Sequence, residues 1–409
     1  MPINPGDMSW VTMATGLVML MTPALGFFYA GLVRKKNIAN TLVQCFAIFA
    51  VVSLVWALWG YSLAFGPSNN GYIGNLDKVM LYNVGVTTPF GATGITELLY
   101  FAFELMFAAI TPALIVGAFA GRIKFRSLLI FIVLWSTFIY APIAHWVWSP
   151  NGWLGIKGLG AIDFAGGTVV HISAGLSALA AAIVMGPRMN REKIEPKPSN
   201  VPYVILGAAL LWFGWFGFNA GSALSASPLA ASALVVTNLA AAAATVSWMI
   251  TETLMKGKPS ATGMAIGAVV GLVAITPASG YVTPSAAIII GLVAGALSNL
   301  VSTWRARTRL DDTLDVFACH GVGGIWGSIA TGLFATTAVN SAGANGLFYG
   351  NPRQLLIQTE AVLVVVAFAF FGTFVLLKIV NRFSKLRVTP EEEEQGLDLS
   401  QNGEEAYFP

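Results

Sequence analysis

Two histidines in apolar surroundings carry the most pointed chemistry of this sequence. His171 ends the stretch Asp163-Phe-Ala-Gly-Gly-Thr-Val-Val-His171, and His320 ends Asp315-Val-Phe-Ala-Cys-His320. If the first stretch is helical, its eight-residue advance covers ~12 Å. That depth puts His171 well inside a hydrocarbon core of ~30 Å. Ionisable groups so deep are costly and tend to line a transport path. Two neutral imidazoles can share a proton, one ring nitrogen donating and the other accepting. Such a pair can hydrogen-bond a small neutral polar molecule or relay a proton. The plainer reading of each is a hydrogen-bonded structural histidine in a helix bundle. Asp163 and His171 do not form one acid–base couple, because eight residues at ~100° each leave them on different faces. Asp163 and Asp315 are both expected to cap helix starts, where a carboxylate meets free amides and the positive dipole end. Asp163 also stands where it adds negative potential beneath an outer cation vestibule.

Six further residues fall at or near helix positions where charge or aromaticity matters. His145-Trp-Val-Trp148 reads first as an interfacial aromatic belt, although the Trp148 face can also attract a small cation by ~0.5–2 kcal/mol. Glu104 lies in Phe103-Glu-Leu-Met-Phe107, inside an apolar run, and is either functional or a paired or protonated structural group. Asp311, Glu252 and Glu360 fall near helix ends and read as interfacial.

These residues sit in a chain whose composition fixes its class. Charged residues are 10% and hydrophobic residues 56%, against ~25% charged in a soluble domain. The sequence is therefore read as an all-α polytopic membrane protein. Eleven apolar segments lie near 9–32, 39–65, 97–120, 126–148, 164–186, 202–223, 229–254, 261–276, 285–303, 314–337 and 354–381. Pro259 and Pro277 bound the short eighth one. With the N-terminus outside, the loops and tail expected inside hold 19 of the 22 basic residues, from Arg34, Lys35 and Lys36 through Arg188, Arg191, Lys193 and Lys197 to Arg387. Only Lys78, Lys157 and Arg353 fall outside, so positive-inside asymmetry predicts eleven transmembrane helices with the C-terminus inside. The outer loops are poor in charge and rich in turn residues, as in Gly66-Pro-Ser-Asn69-Asn-Gly71.

A weak internal echo links Phe28-Tyr-Ala-Gly31 to Phe218-Asn-Ala-Gly221, and Asp163/His171 to Asp315/His320. It suggests two inverted five-helix repeats, about 9–186 and 202–337, plus one extra helix at about 354–381, an arrangement that places a substrate site between the halves. The domain organisation expected is thus a membrane domain over 1–383 and a cytoplasmic tail over 384–409. The acidic tail after Glu391-Glu-Glu-Glu394 reads by composition alone as solvated and disordered.

Several classes are excluded or disfavoured. A net charge of +3 spread over loops gives no nucleic-acid surface. Cys45 and Cys319 show no disulfide or metal spacing, no cofactor motif is present, and the N-terminus lacks the basic residues of a cleavable signal. No nucleophile elbow, zinc-protease or phosphate-loop pattern occurs, so an enzyme, including an intramembrane hydrolase, is not expected.

Four stretches carry a family resemblance: Gly26-Phe-Phe-Tyr-Ala-Gly-Leu32, Asp163–His171, Trp215-Phe-Gly-Phe-Asn-Ala-Gly-Ser222 and Asp315-Val-Phe-Ala-Cys-His-Gly-Val322. They resemble the ammonium transporter family (Amt/Mep/Rh), specifically its Amt branch, and the likeness runs from Trp10 to Tyr407. The resemblance implies a homotrimer in the cell membrane with one pore per chain. It implies an outer NH4+ site at Phe107, Trp148 and Ser222, and a gate of Phe107 and Phe218. It further implies a pore pair of His171 and His320, with Asp163 and Glu104 in support. It implies NH3 passage with or without separate proton transfer, and a tail that docks on the inner face and answers a PII-type signalling protein. Glu104 stands where many Amt members have Gln, and Gly121 where they often have Glu. An ammonium sensor and a passive NH3 channel are the other readings. The absence of a fused signalling domain speaks against the first, and the cation-suited Trp148 and Ser222 against the second.

Overall fold

Backbone amides in an apolar setting must be bonded within their own segment, so long apolar runs fold as helices. The computed structural model describes residues 2–68, 70–189, 191 and 197–407; Asn69, Lys193 and the last two tail residues lie outside them. Among the described residues nine helices are long and apolar enough to cross a membrane. They are α1 (Pro5–Leu32), α2 (Lys35–Phe65), α3 (Glu97–Phe119), α4 (Phe125–Trp148), α5 (Gly167–Met185), α6 (Val201–Gly221), α7 (Pro228–Lys256), α9 (Pro284–Ala306) and α11 (Pro352–Phe383). Two shorter rods complete the bundle, α8 (Ala261–Ile275) and α10 (317–334). All eleven apolar segments are helical, with ends within four residues of the expected ones.

Local sequence sets those ends. Asn4, Ser227 and Thr283 each precede a proline and accept a hydrogen bond from the first turn of their helix, pairing a capping oxygen with a residue that has no amide to satisfy. α5 and α10 depart from expectation by starting three residues late. Gly166, at φ 115°, turns the chain into α5, and Asp315, at φ 58°, holds the corresponding turn before α10.

α1 packs along α6, and small residues let their backbones approach. A Cβ on Gly207 would lie 2.4 Å from the Phe28 amide nitrogen. α1 also packs on α2 and α3, and α6 packs on α7 and α8. α5 and α10 cross tightly: a Cβ on Gly175 would lie 2.1 Å from the Gly321 nitrogen. α11 lies outside, against α5 and α10.

At the end of the bundle that carries the chain's C-terminus, several sequence expectations are corrected. Asp311 is buried, not interfacial, because Arg188 binds it through Nε at 2.9 Å and Nη2 at 2.8 Å, with Arg191 at 3.5 Å. Burial raises its carboxyl, yet Arg188 and the nearby Arg122 hold it below the usual carboxylate range. Glu252 is also buried, accepting from the Ser260 amide at 3.0 Å where α8 begins, whereas Glu360 is exposed. The tail is ordered through residue 407 instead of free. A short helix, α12 (Pro390–Gln395), opens with a reciprocal Thr389/Glu392 cap. Beyond it Asp398 accepts from the Asn40 amide at 2.7 Å, Leu397 donates to Asn37 Oδ1 at 2.9 Å, and Glu393 accepts from Met189 at 2.7 Å. Composition missed this because the tail's polar groups are satisfied by loop amides that no local pattern reveals.

The α5–α10 crossing yields a prediction. Gly175→Ala should lower the unfolding midpoint of the detergent-solubilised protein by an amount equivalent to about 1–3 kcal/mol or more, the cost of overpacking. Gly16→Ala, where an added Cβ meets nothing within 4 Å, should leave it unchanged; equal effects would refute the role of the crossing.

Candidate functional site

The site is built where α5 and α10 each relax by one turn. Residues Gly167–Ile172 and Phe317–Val322 form wide π-type turns, a distortion frequent at functional positions. These turns carry His171 and His320. Both rings are buried, and their Nδ1 atoms lie 3.3 Å apart. One imidazole must therefore be the donor and the other the acceptor. Trp215 of α6 stacks on His171 at 5.3 Å and is itself fixed by donating from Nε1 to Thr276 at 2.9 Å. The Nε2 atom of His171 has no protein partner among the described residues.

That side chain borders a narrow cavity of about 10 Å³, room for roughly one water-sized molecule, lined by both histidines, Trp215 and Phe218 and otherwise by apolar side chains such as Leu114 and Val269. Apart from the imidazoles, the walls offer almost no hydrogen bonding, which suits a small neutral molecule better than a hydrated ion.

Phe218 of α6 and Phe107 of α3 close the cavity on the side away from the tail. Their rings stack with centroids 4.1 Å apart, and both are buried. Trp148, at the end of α4, meets Phe107 edge-on at 5.8 Å and is half-buried. Its Nε1 donates to the Asp163 carbonyl at 3.0 Å, which fixes the indole plane. Ser222 stands one turn beyond Phe218 and donates to the Phe218 carbonyl at 2.8 Å. Its proton is thereby committed, and its lone pairs remain free to accept. An aromatic face, an aromatic edge and an oxygen acceptor are the parts needed to hold a small cation that can donate hydrogen bonds.

The Asp163 carboxylate does not touch His171. Oδ1 accepts from the amides of Gly166 and Gly167, both at 2.7 Å, and Oδ2 accepts from Thr168 at 2.8 Å and from the Thr168 hydroxyl. Burial raises its carboxyl, opposed by these hydrogen bonds. It is the cap from which the α5 turn starts. The expected counterpart, Asp315, does not cap α10. It pairs with Arg305 at 2.6 Å, and Asp312 does the capping, accepting from the Phe317 amide at 2.7 Å. Asp312 precedes His320 by eight residues, as Asp163 precedes His171, so the equal spacing was the signal that could have identified it. The three aspartates within 311–315 obscured it.

Two candidates lie away from the cavity. Glu104 faces Tyr100, one turn earlier on α3, with its Oε2 unpartnered among the described residues, and it is not a lining residue. His145 is fully buried and not part of an interfacial belt, because its Nδ1 meets the Ala64 carbonyl at 2.8 Å and ties α4 to the end of α2. Cys45 and Cys319 are buried free thiols, and no cluster of metal-ligating side chains occurs among the described residues. Trp215 joins the candidate site only in the structure, since nothing in its local sequence singled it out.

Comparison with known proteins places this geometry in context. The sequence model of the Ammonium Transporter Family matches residues 9–407. The chain is 48% identical to an ammonium transporter of Bacillus subtilis (strain 168) over 403 residues, covering 98% of each protein. It is 46% identical to the ammonium transporter Amt1 of Archaeoglobus fulgidus, covering 99% of this chain and 100% of that protein. Among solved structures, Mep2 of Saccharomyces cerevisiae superposes with a TM-score of 0.90 at 37% identity, covering 95% of this chain and 90% of its own. A sensor Amt protein superposes with a TM-score of 0.89 at 32% identity, covering 97% and 98%.

The capping geometry makes a prediction of its own. Asp163→Ala leaves four buried amides, those of Gly166, Gly167, Thr168 and Val169, without that acceptor and should destabilise the detergent-solubilised protein by about 2–4 kcal/mol. Asp163→Asn, which keeps one carbonyl acceptor, should fall between Asp163→Ala and wild type. Equal unfolding midpoints for all three proteins would show that the carboxylate does not hold the α5 turn.

Proposed function

The chain belongs to the ammonium transporter family, and from that premise we propose that it is a multi-pass membrane protein that moves ammonium across the cell membrane. The observation that carries this reading is the series Trp148, the stacked Phe107/Phe218 pair, the apolar cavity and the His171/His320 pair, in that spatial order. NH4+ docks against Trp148 and Phe107 by cation–π attraction and donates a hydrogen bond to Ser222. Potassium gains similar attraction to the rings but has no hydrogen to donate, so Ser222 discriminates between them. Taking a full charge through an apolar lumen is costly. The ion therefore loses its proton near the phenylalanine gate, and NH3 crosses the cavity using His171 Nε2 as its polar contact. The shared proton between the imidazoles provides a second route for the released proton, which makes the net transfer electrogenic. The Asp163 carboxylate supports the entrance, and its carbonyl orients Trp148. The removal of Glu104 from the lumen supports a role in shaping α3 behind the gate, not in contacting the substrate.

The same reading assigns eleven transmembrane helices, with α8 and α10 spanning alongside the nine longer ones, as two inverted five-helix repeats plus α11. The parallel packing of α1 on α2 and α3, and of α6 on α7 and α8, supports the repeats. The concentration of basic residues at the tail end supports a cytoplasmic C-terminus. The chain assembles as a homotrimer, and the docked tail forms part of the surface that a PII-type signalling protein meets. Light scattering giving one chain per particle would refute the trimer. Co-purification with a PII-type protein that survives deletion of 384–409 would refute the role of the tail. A second reading, an ammonium sensor, is favoured by the structural likeness to a sensor Amt protein.

Ammonium-evoked current across proteoliposomes tests the first reading. Wild-type protein should give a saturable current, Trp148→Leu should raise the half-saturating concentration about 2- to 30-fold, corresponding to the ~0.5–2 kcal/mol of a cation–π contact, and His171→Ala and His320→Ala should lose most of the current. Current unchanged in both histidine variants would refute the proton route. Absence of current and of NH3 flux would refute transport, and normal ammonium binding with zero flux would establish the sensor instead.

A further inference from the structure

A small pocket opens beside Gly121, far from the histidines, where the α1–α2 turn, the α3–α4 turn and the tail meet. Arg34, Arg188 and Thr313 line it and also line a larger inner recess of about 480 Å³, so the two spaces are neighbours. Three donors face it. Asn37 is buried, its Oδ1 is taken by Leu397, and its Nδ2 lies 2.6 Å from the position a Cβ on Gly121 would occupy. No protein acceptor for that Nδ2 is found among the described residues. Arg188 commits Nε and Nη2 to Asp311, which leaves Nη1. The half-buried Arg34 side chain has no ion pair or hydrogen bond among the described residues.

The carboxylates near Arg34 do not neutralise it. Asp311 is shared by Arg188 and Arg191, and Glu393, which closes the pocket on the tail side, accepts from Met189 at 2.7 Å and from Arg387 at 2.8 Å. Burial and the neighbouring Arg188 charge both push the Arg34 guanidinium below its ordinary value. Two guanidinium groups held close, with a buried amide donor between them, form an arrangement that an anion would relieve.

We propose that this pocket binds the phosphate group of a small ligand, held by Arg34, Arg188 and the Asn37 amide. A tetrahedral oxyanion presents acceptors in several directions and so meets donors that converge from two loops. Because Asn37 also holds Leu397, the bound group joins the α1–α2 turn to the tail and makes tail docking depend on the anion. The group reaches the pocket either as free phosphate from the inner recess or as the headgroup of an anionic phospholipid.

Calorimetric titration of the full-length protein with inorganic phosphate, at constant ionic strength set by chloride, tests this. In nanodiscs of zwitterionic lipid, one saturable site per chain is expected. Arg34→Gln should weaken it at least tenfold, and Asn37→Asp, which keeps the acceptor for Leu397 but replaces the donor with a negative charge, should abolish it. Arg126→Gln removes an exposed cation at the same end of the bundle and should leave it unchanged. Loss of phosphate binding only in nanodiscs containing phosphatidylglycerol would identify the lipid headgroup as the occupant, whereas equal binding in both would identify free phosphate. No saturable binding in either lipid, or equal weakening by Arg34→Gln and Arg126→Gln, would overturn the proposal.

Discussion

The near-contact of two backbones at Gly175 and Gly321 underlies the rest of the structure. Only where a Cβ is missing can α5 and α10 cross with an added carbon's place 2.1 Å from the facing nitrogen. That closeness brings the two imidazoles to 3.3 Å. Helices separated by ordinary side chains would leave each histidine alone in an apolar interior, with unpaired ring nitrogens and the cost that entails. The wide turns at the start of α5 and α10 serve the same end, because they rotate the rings inward without ending the helix. The pair is thus a consequence of packing before it is a device for transport.

Two aspartates then hold those turns in place, each eight residues ahead of its histidine. Their carboxylates supply acceptors for amides that a helix leaves open at its start. In an apolar environment such amides have no water to fall back on. This explains a division of labour at the end of the bundle away from the tail: Asp163 spends its carboxylate on structure, while its backbone carbonyl positions Trp148. The electrostatic part of the entrance falls to the aromatic rings and Ser222, whose hydroxyl proton is already used. In the proposed pathway, selectivity rests on groups that can attract a cation and accept a hydrogen bond without a free negative charge that would trap the ion.

At the opposite end the logic is reversed, and charge is abundant but almost fully engaged. Asp311 gathers Arg188 and Arg191, and Glu393 gathers Arg387. Asp311 adjoins the aspartate that caps α10, and Glu393 belongs to the tail. The tail is therefore linked, through Met189 and Arg188, to the segment that starts the His320 helix. A displacement of the tail has a defined chemical route toward His320.

Sequence by itself determined the helical class and the positions of the apolar segments, because lipid solubility and backbone satisfaction act on runs of residues and leave a local record; it also named most residues of the candidate site. His171, His320, Phe107, Phe218, Trp148 and Ser222 were all legible, though their roles came from family likeness and not from spacing. Only the tertiary structure decided which groups met. It moved the α10 cap from Asp315 to Asp312, since Arg305 claims the former from another helix. It turned Glu104 toward Tyr100 and away from the cavity, and it buried His145 against the Ala64 carbonyl. It also ordered an acidic tail that composition left free. For Asp315, His145 and the tail the deciding partner lies on a different element, and a single sequence records no such pairing; Tyr100 shares α3 with Glu104, but which side of that helix meets the cavity is set by its neighbours.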